Sequence, residues 1–169
     1  MANPKIKIDP LPSDKLADFL SLGLLIFSWI FLLAIYTGMP ETVPIHLNGV
    51  GKADGFSNKI TLFIDPLIST IIYTLLTYLN KYPHIYNYPT VINERNAAQY
   101  YTIGSRMIRY LKLSVMIVLL LVQLELFAIA KDVKINLGVW SLIIPLLIIQ
   151  GPVIYYLKDI FNKKNLIGA

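Results

Sequence analysis

Four long apolar runs restrict what this chain can become: Phe19 to Thr37, Ile60 to Asn80, Leu113 to Ala130 and Leu137 to Leu157, each with at most one charged residue. A helix rising 1.5 Å per residue needs about 20 apolar residues to cross a hydrocarbon core of roughly 30 Å. In lipid every backbone polar group must be bonded within the structure, and the runs lack the polar alternation of outer-membrane strands, so helices are the expected solution. Composition agrees, with 56% hydrophobic and 15% charged residues and a mean hydropathy of +0.60. The fold class expected is all-α: a polytopic membrane protein whose four transmembrane helices form one bundle, with an ordered outer loop at 40–59 and a cytoplasmic amphipathic helix at 93–111. Short tails, 1–17 and 160–169, flank a membrane domain at 18–159.

Lys and Arg are retained on the cytoplasmic side of a membrane. With both termini inside, the inner segments carry Lys5, Lys7, Lys15, Lys81, Arg95, Arg106, Arg109, Lys112, Lys158, Lys163 and Lys164, whereas the outer loops carry Lys52, Lys59, Lys131 and Lys134. This asymmetry predicts cytoplasmic termini and turns the loop at 40–59 outward. The first run exceeds a signal-peptide core and no small-x-small site follows it before Tyr36, so it reads as an uncleaved anchor. The net charge of +5 follows from the same bias and from anionic lipid, and implies no nucleic-acid partner. No cysteine is present, and the two histidines, His46 and His84, are assigned to opposite faces. Thiolate chemistry is thereby excluded and no metal site is expected. No phosphate-binding glycine loop or nucleophile elbow occurs, so neither a catalytic residue nor a cofactor is expected, and the chain does not read as an enzyme.

Several positions interrupt the apolar pattern. Asp65-Pro66 reads as an N-cap followed by proline in the first turn, with the segment from Lys59 to Ile64 continuing as a helix kinked at Pro66 or lying as irregular backbone at the interface. Pro145 and Pro152 should bend the fourth helix, while Trp140, Tyr155 and Tyr156 suit the interfacial belts. Arg95, Gln99, Thr102, Arg106 and Arg109 recur at helical spacing within 93–111. They predict a helix lying at the cytoplasmic headgroup level, or a surface where a cytoplasmic regulator docks. Glu125 within the third run and Asp65 within the second are costly in lipid. They are either an ionisable intramembrane site, joined by His46 from the loop, or structural, with Asp65 capping its helix and Glu125 bonding backbone or Lys131.

The outer loop is densely patterned. In an extended Val43-Pro44-Ile45-His46-Leu47-Asn48 segment, His46 and Asn48 share one face, and Asn48-Gly49 and Asp54-Gly55 are both turn signals. The loop should form a compact cap over the helix ends, with Phe56 and the aliphatic residues facing the bundle. Its polar side would carry His46, Asn48, Asp54 and Lys59, which either hold the turns together or meet a ligand.

The spacing of Pro40, Val43, Pro44, His46, Leu47, Asn48, Gly51, Asp54, Gly55 and Lys59 resembles the signature of a bacterial membrane domain of unknown function found at the start of SdpI-type immunity and signalling proteins. Asn93-Glu94, Ala97, Tyr100, Arg106, Arg109 and Leu111 extend the resemblance to roughly residues 18–130. Leu47 stands where an aromatic residue is usual, and the additional membrane domain of full SdpI proteins is lacking. The resemblance implies an outward-facing module that meets a secreted toxic peptide or envelope ligand and signals to a cytoplasmic regulator. The alternatives are a small proton-coupled transporter or channel subunit using Glu125 and Asp65, and a structural or assembly partner of another membrane protein.

Overall fold

In the computed structural model, residues 3–133 and 137–167 are described, with side chains as far as 162. Lys134 and the side chains of Lys163 and Lys164, counted above in the charge asymmetry, lie outside the described residues, as do the ends of both tails. The order of elements is α1 (Pro12–Ile35), β1 (Thr42–Leu47), β2 (Ala53–Asn58), α2 (Ile64–Leu79), α3 (Ala97–Ala130) and α4 (Trp140–Ile167). Among the described residues four helices are long and apolar enough to cross a membrane, which makes this a multi-pass membrane protein of mostly helical class, with a small two-stranded antiparallel sheet.

The helices run alternately up and down. α3 is the central one and packs against α1, α2 and α4. α1 presents a seam of Asp14, Ala17, Ser21, Leu25, Ser28 and Leu32, all buried, at steps of three and four that keep one stripe against the bundle. Small residues in that stripe let the backbones approach closely. Phe19, Ile26, Ile30 and Leu33 on α1, Leu67, Ile71 and Leu75 on α2, and Leu146, Leu147 and Ile154 on α4 are exposed, as residues facing lipid tails would be.

Polar groups inside the bundle find partners across helices. Ser28 Oγ donates to Gln123 Oε1 (2.9 Å), Gln123 Nε2 donates to the Ser28 carbonyl (3.3 Å), and Trp29 Nε1 donates to Thr70 Oγ1 (3.0 Å). In a medium without water such bonds remove a desolvation cost that would otherwise stand uncompensated. The hairpin of β1 and β2 caps one end of this bundle. At the opposite end lie the start of α1, the connection 80–96 and the end of α4.

That opposite end departs from expectation. Residues 93–111 do not form a separate interfacial helix, because α3 runs unbroken from Ala97 to Ala130. Its start is set by a reciprocal clasp in which Asn93 N donates to Asn96 Oδ1 (2.8 Å) and Asn93 Oδ1 accepts from Asn96 N (3.2 Å). Ala97, Tyr100, Tyr101 and Ile103 are buried in a cluster with Ile92 and Ile160, onto which Ile6 and Ile8 pack. Residues 3–11 are therefore a docked arm: Asn3 Nδ2 donates to the His84 carbonyl (2.8 Å) and Tyr101 Oη to the Pro4 carbonyl (2.9 Å). Gly104 of α3 is a close-approach position, since a Cβ there would lie 2.7 Å from Tyr88 Oη and 3.0 Å from Tyr86 Cδ2. Burial pushes the Tyr86 phenol up to about 12 and raises that of Tyr88 as well, so both remain neutral donors, to the Leu79 and Pro83 carbonyls respectively.

At the hairpin end, Lys59–Phe63 forms a 3-10 turn that winds directly into α2. The capping acceptor is Asn58 Oδ1, which receives Ile60 N (3.0 Å); Asp65, expected as the cap, is the second residue of α2. The change of winding comes before Pro66, so the proline begins a helix instead of kinking one. α4 continues through both Pro145 and Pro152.

Candidate functional site

The loop at 40–59 is a β-hairpin, and most of its patterned residues serve to build it. Asn48 makes the turn: its Oδ1 accepts from Val50 N (3.1 Å) and Lys52 N (3.0 Å), and its own N donates to the Lys52 carbonyl (2.8 Å). The positive φ in this turn is at Gly51 (74°), not at Gly49, and a Cβ on Gly51 would meet the Gly138 carbonyl oxygen at 2.6 Å. The hairpin tip thus leans on the connection between α3 and α4. Asp54-Gly55, expected as a second turn, lies inside β2, where Gly55 pairs with His46. A Cβ on Gly55 would sit 3.0 Å from the His46 Cβ, so glycine makes room for the imidazole.

The polar residues of the hairpin are engaged with one another. His46 Nδ1 contacts Asp54 Oδ1 across the strands, with both side chains well exposed. Lys59 Nζ donates to Glu41 Oε1 (2.7 Å) and lies 5.4 Å from the Tyr36 ring centroid, closing the base of the hairpin, while Lys131 Nζ donates to the Gly38 carbonyl. Phe56, expected to face the bundle, is 60% exposed, whereas Val43 is fully buried. Alternation along β2 is unbroken and sets Phe56 on the exposed face with Asp54 and Asn58, the face that period-two pleating gives it.

Beneath the hairpin, between it and helices α2 and α3, is a cavity of about 340 Å³. Pro44 and Ile45 of β1, Ile68 of α2 and Leu126 of α3 supply apolar walls, and Thr61, Asp65 and Gln123 are the polar residues; Thr61 Oγ1 donates to the Asn58 carbonyl. Gln123 is already committed to Ser28. Asp65 is different: its Oδ2 is buried and has no hydrogen-bond partner. An unpaired buried acceptor costs free energy comparable to a lost hydrogen bond, more when charged, and such groups cluster where a ligand completes them.

The structure separates the sequence candidates. Asp65 lines the cavity, whereas Glu125 accepts from Ser141 Oγ of α4 (2.5 Å) and is not among the cavity walls. His46 stays on the exposed face with Asp54. Arg106 and Arg109 are not a free surface stripe. Arg106 Nε reaches Asp14 Oδ1 (3.3 Å) and Arg109 Nε reaches Asp18 Oδ2 (3.0 Å); Arg95 alone of the three is exposed. Lys112, counted above only as one inner charge, is buried and donates to Asp18 Oδ1 (2.7 Å) and Thr77 Oγ1 (3.1 Å). Sequence reasoning missed Asp14, Asp18, Glu41 and Gln123. The available signal was spacing, because Asp14 and Asp18 stand one helical turn apart at the start of an apolar run. Among the described residues no group of three or more His, Cys, Asp or Glu could hold a metal ion.

No solved structure matches this chain. A protein of Archaeoglobus fulgidus described as uncharacterized is 30% identical over 95 residues, which cover 50% of this chain and 52% of that protein. The chain thus spans about half the length of the curated relative it matches. Residues 23–70, from the middle of α1 through the hairpin and into α2, match the model of a domain of unknown function, DUF1648.

Proposed function

We propose that this protein is a membrane binding module whose hairpin end captures an amphipathic cationic ligand, such as a secreted toxic peptide or another envelope ligand. The observation that carries this reading is Asp65, whose Oδ2 is buried without a partner, on the wall of a largely apolar cavity. An apolar side chain ending in an ammonium or guanidinium would fill the walls and supply the missing donor. The resemblance of the hairpin sequence to SdpI-type proteins supports the same class of ligand. The charge asymmetry of the loops supports a hairpin facing outward from a bacterial inner membrane with both termini cytoplasmic. Recognition here is binding, with no bond made or broken.

The test uses the full chain in nanodiscs and a fluorescent amphipathic helix of leucine and lysine, with a glutamine-for-lysine version as control. Anisotropy should report tighter binding of the cationic peptide, and Asp65→Asn should weaken it about tenfold, the equivalent of one charge-assisted bond. Equal binding of both peptides, or an unaffected Asp65→Asn, would refute the reading. Orientation is read separately by impermeant thiol labelling of Ser57→Cys and Asn87→Cys in intact cells, where only Ser57→Cys should react.

The buried carboxylate also favours a second reading, a proton-coupled transporter or channel subunit in which Asp65 and Glu125 carry the coupling. Loss of function in Glu125→Gln with peptide binding intact would select it.

A further inference from the structure

The opposite end of the bundle contains a second cavity, of about 370 Å³, between the docked N-terminal arm, the end of α2 and the first turns of α3. Four cations line it, Lys7, Lys81, Arg109 and Lys112, against one carboxylate, Asp18. Arg109 and Lys112 both depend on that carboxylate, and their side chains are only 12% and 2% exposed. Two nearly buried cations sharing one anion leave positive charge uncompensated in a region of low dielectric. Lys112 spends its donors on Asp18 and Thr77 and lies 4.8 Å from the Tyr73 ring centroid. Arg109 does not. Its Nε faces Asp18 and, with the Asn80 amide oriented to satisfy its neighbours, the Asn80 oxygen at 3.1 Å. Among the described residues no bond uses its Nη groups. Lys81 stands at the mouth with no ion pair among the described residues, and Lys7 is only loosely paired with the exposed Asp9, at 3.8 Å.

We propose that this cavity binds a phosphate-class anion, held by the free Arg109 fork and by Lys81 at the mouth. The planar fork matches two phosphate oxygens in a way a carboxylate-paired lysine cannot. Ile6, Ile8 and Pro83 on the rim give the site an apolar side, which accommodates the glycerol end of a phospholipid as well as a soluble phosphoryl compound. The site is independent of the hairpin cavity and does not rest on the ligand proposed there.

The experiment measures thermal unfolding and native mass spectra of the full chain in phosphatidylcholine nanodiscs. Phosphatidic acid is added in one arm and inorganic phosphate in the other, against chloride at equal ionic strength. The unfolding temperature should rise in at least one arm: a rise with phosphatidic acid alone identifies a lipid headgroup, and a rise with phosphate identifies a soluble ligand. Lys81→Gln, on the exposed rim, should weaken retention about tenfold, and Arg109→Lys should weaken it while keeping the Asp18 pair. No rise beyond chloride in either arm, or full retention by both variants, would overturn the proposal.

Discussion

Asp18→Ala should destabilise the protein by about 3 kcal/mol, the lower end of the cost of breaking a buried pair, because the carboxylate itself is 38% exposed while Lys112 is 2% exposed. Removing Asp18 leaves Lys112 charged, buried and bonded only to Thr77 Oγ1, and strips Arg109 of its ion pair at the same stroke. Lys112→Met is the instructive contrast. It removes the buried charge along with its desolvation cost, keeps the length of the side chain, and leaves Asp18 with Arg109, so its effect should stay below about 1 kcal/mol. The double variant should recover much of the loss in Asp18→Ala, as expected when the penalty is an orphaned charge. Denaturant or thermal unfolding in detergent reads all three. Equal losses for the two single variants would mean that the contacts, not the charge balance, matter.

Asp65→Leu should do the reverse. Its Oδ2 is buried without a partner and Pro44, Ile45, Ile68 and Leu126 line the same cavity, so replacing the carboxylate by an apolar group of similar reach should stabilise the protein by about 1–3 kcal/mol. The same change should abolish binding of the cationic peptide. A substitution that raises the unfolding temperature and removes binding identifies a residue kept for function at a cost in stability. If Asp65→Leu instead destabilises, the carboxylate is part of the scaffold and the cavity is not a ligand site.

Much of the architecture was legible because membrane helices announce themselves through length and composition. The runs beginning at Phe19 and Leu113 start inside α1 and α3, and those beginning at Ile60 and Leu137 start four and three residues before α2 and α4. The hairpin was legible as an ordered loop but not as a sheet. Asn48 acts at its turn as the sequence suggests, while Gly51 and not Gly49 takes the positive φ, and the alternation of β2 turns Phe56 outward with Asp54 and Asn58. The polar stripe on α3 was read correctly as a stripe and wrongly as a free surface. Periodicity gives the face on which Arg106 and Arg109 lie but cannot tell water from a neighbouring helix. Their partners, Asp14 and Asp18, are more than 90 residues away in sequence, and only packing brings them together. The same limit applies to the two intramembrane carboxylates: Asp65 and Glu125 were candidates for one site because each is a charge within an apolar run, yet that says nothing about which way each faces, and Glu125 turns to Ser141.

The most direct test of the hairpin-end cavity as the binding site is to find where the ligand lands. A leucine-lysine peptide carrying a diazirine beside its central lysine, photolysed on the full chain in nanodiscs, should leave adducts on Ile45, Ile68 and Leu126, and these should vanish in Asp65→Asn. Adducts spread along the exposed face of α4, unchanged in Asp65→Asn, would show that the peptide meets only the lipid-facing surface and would contradict the account.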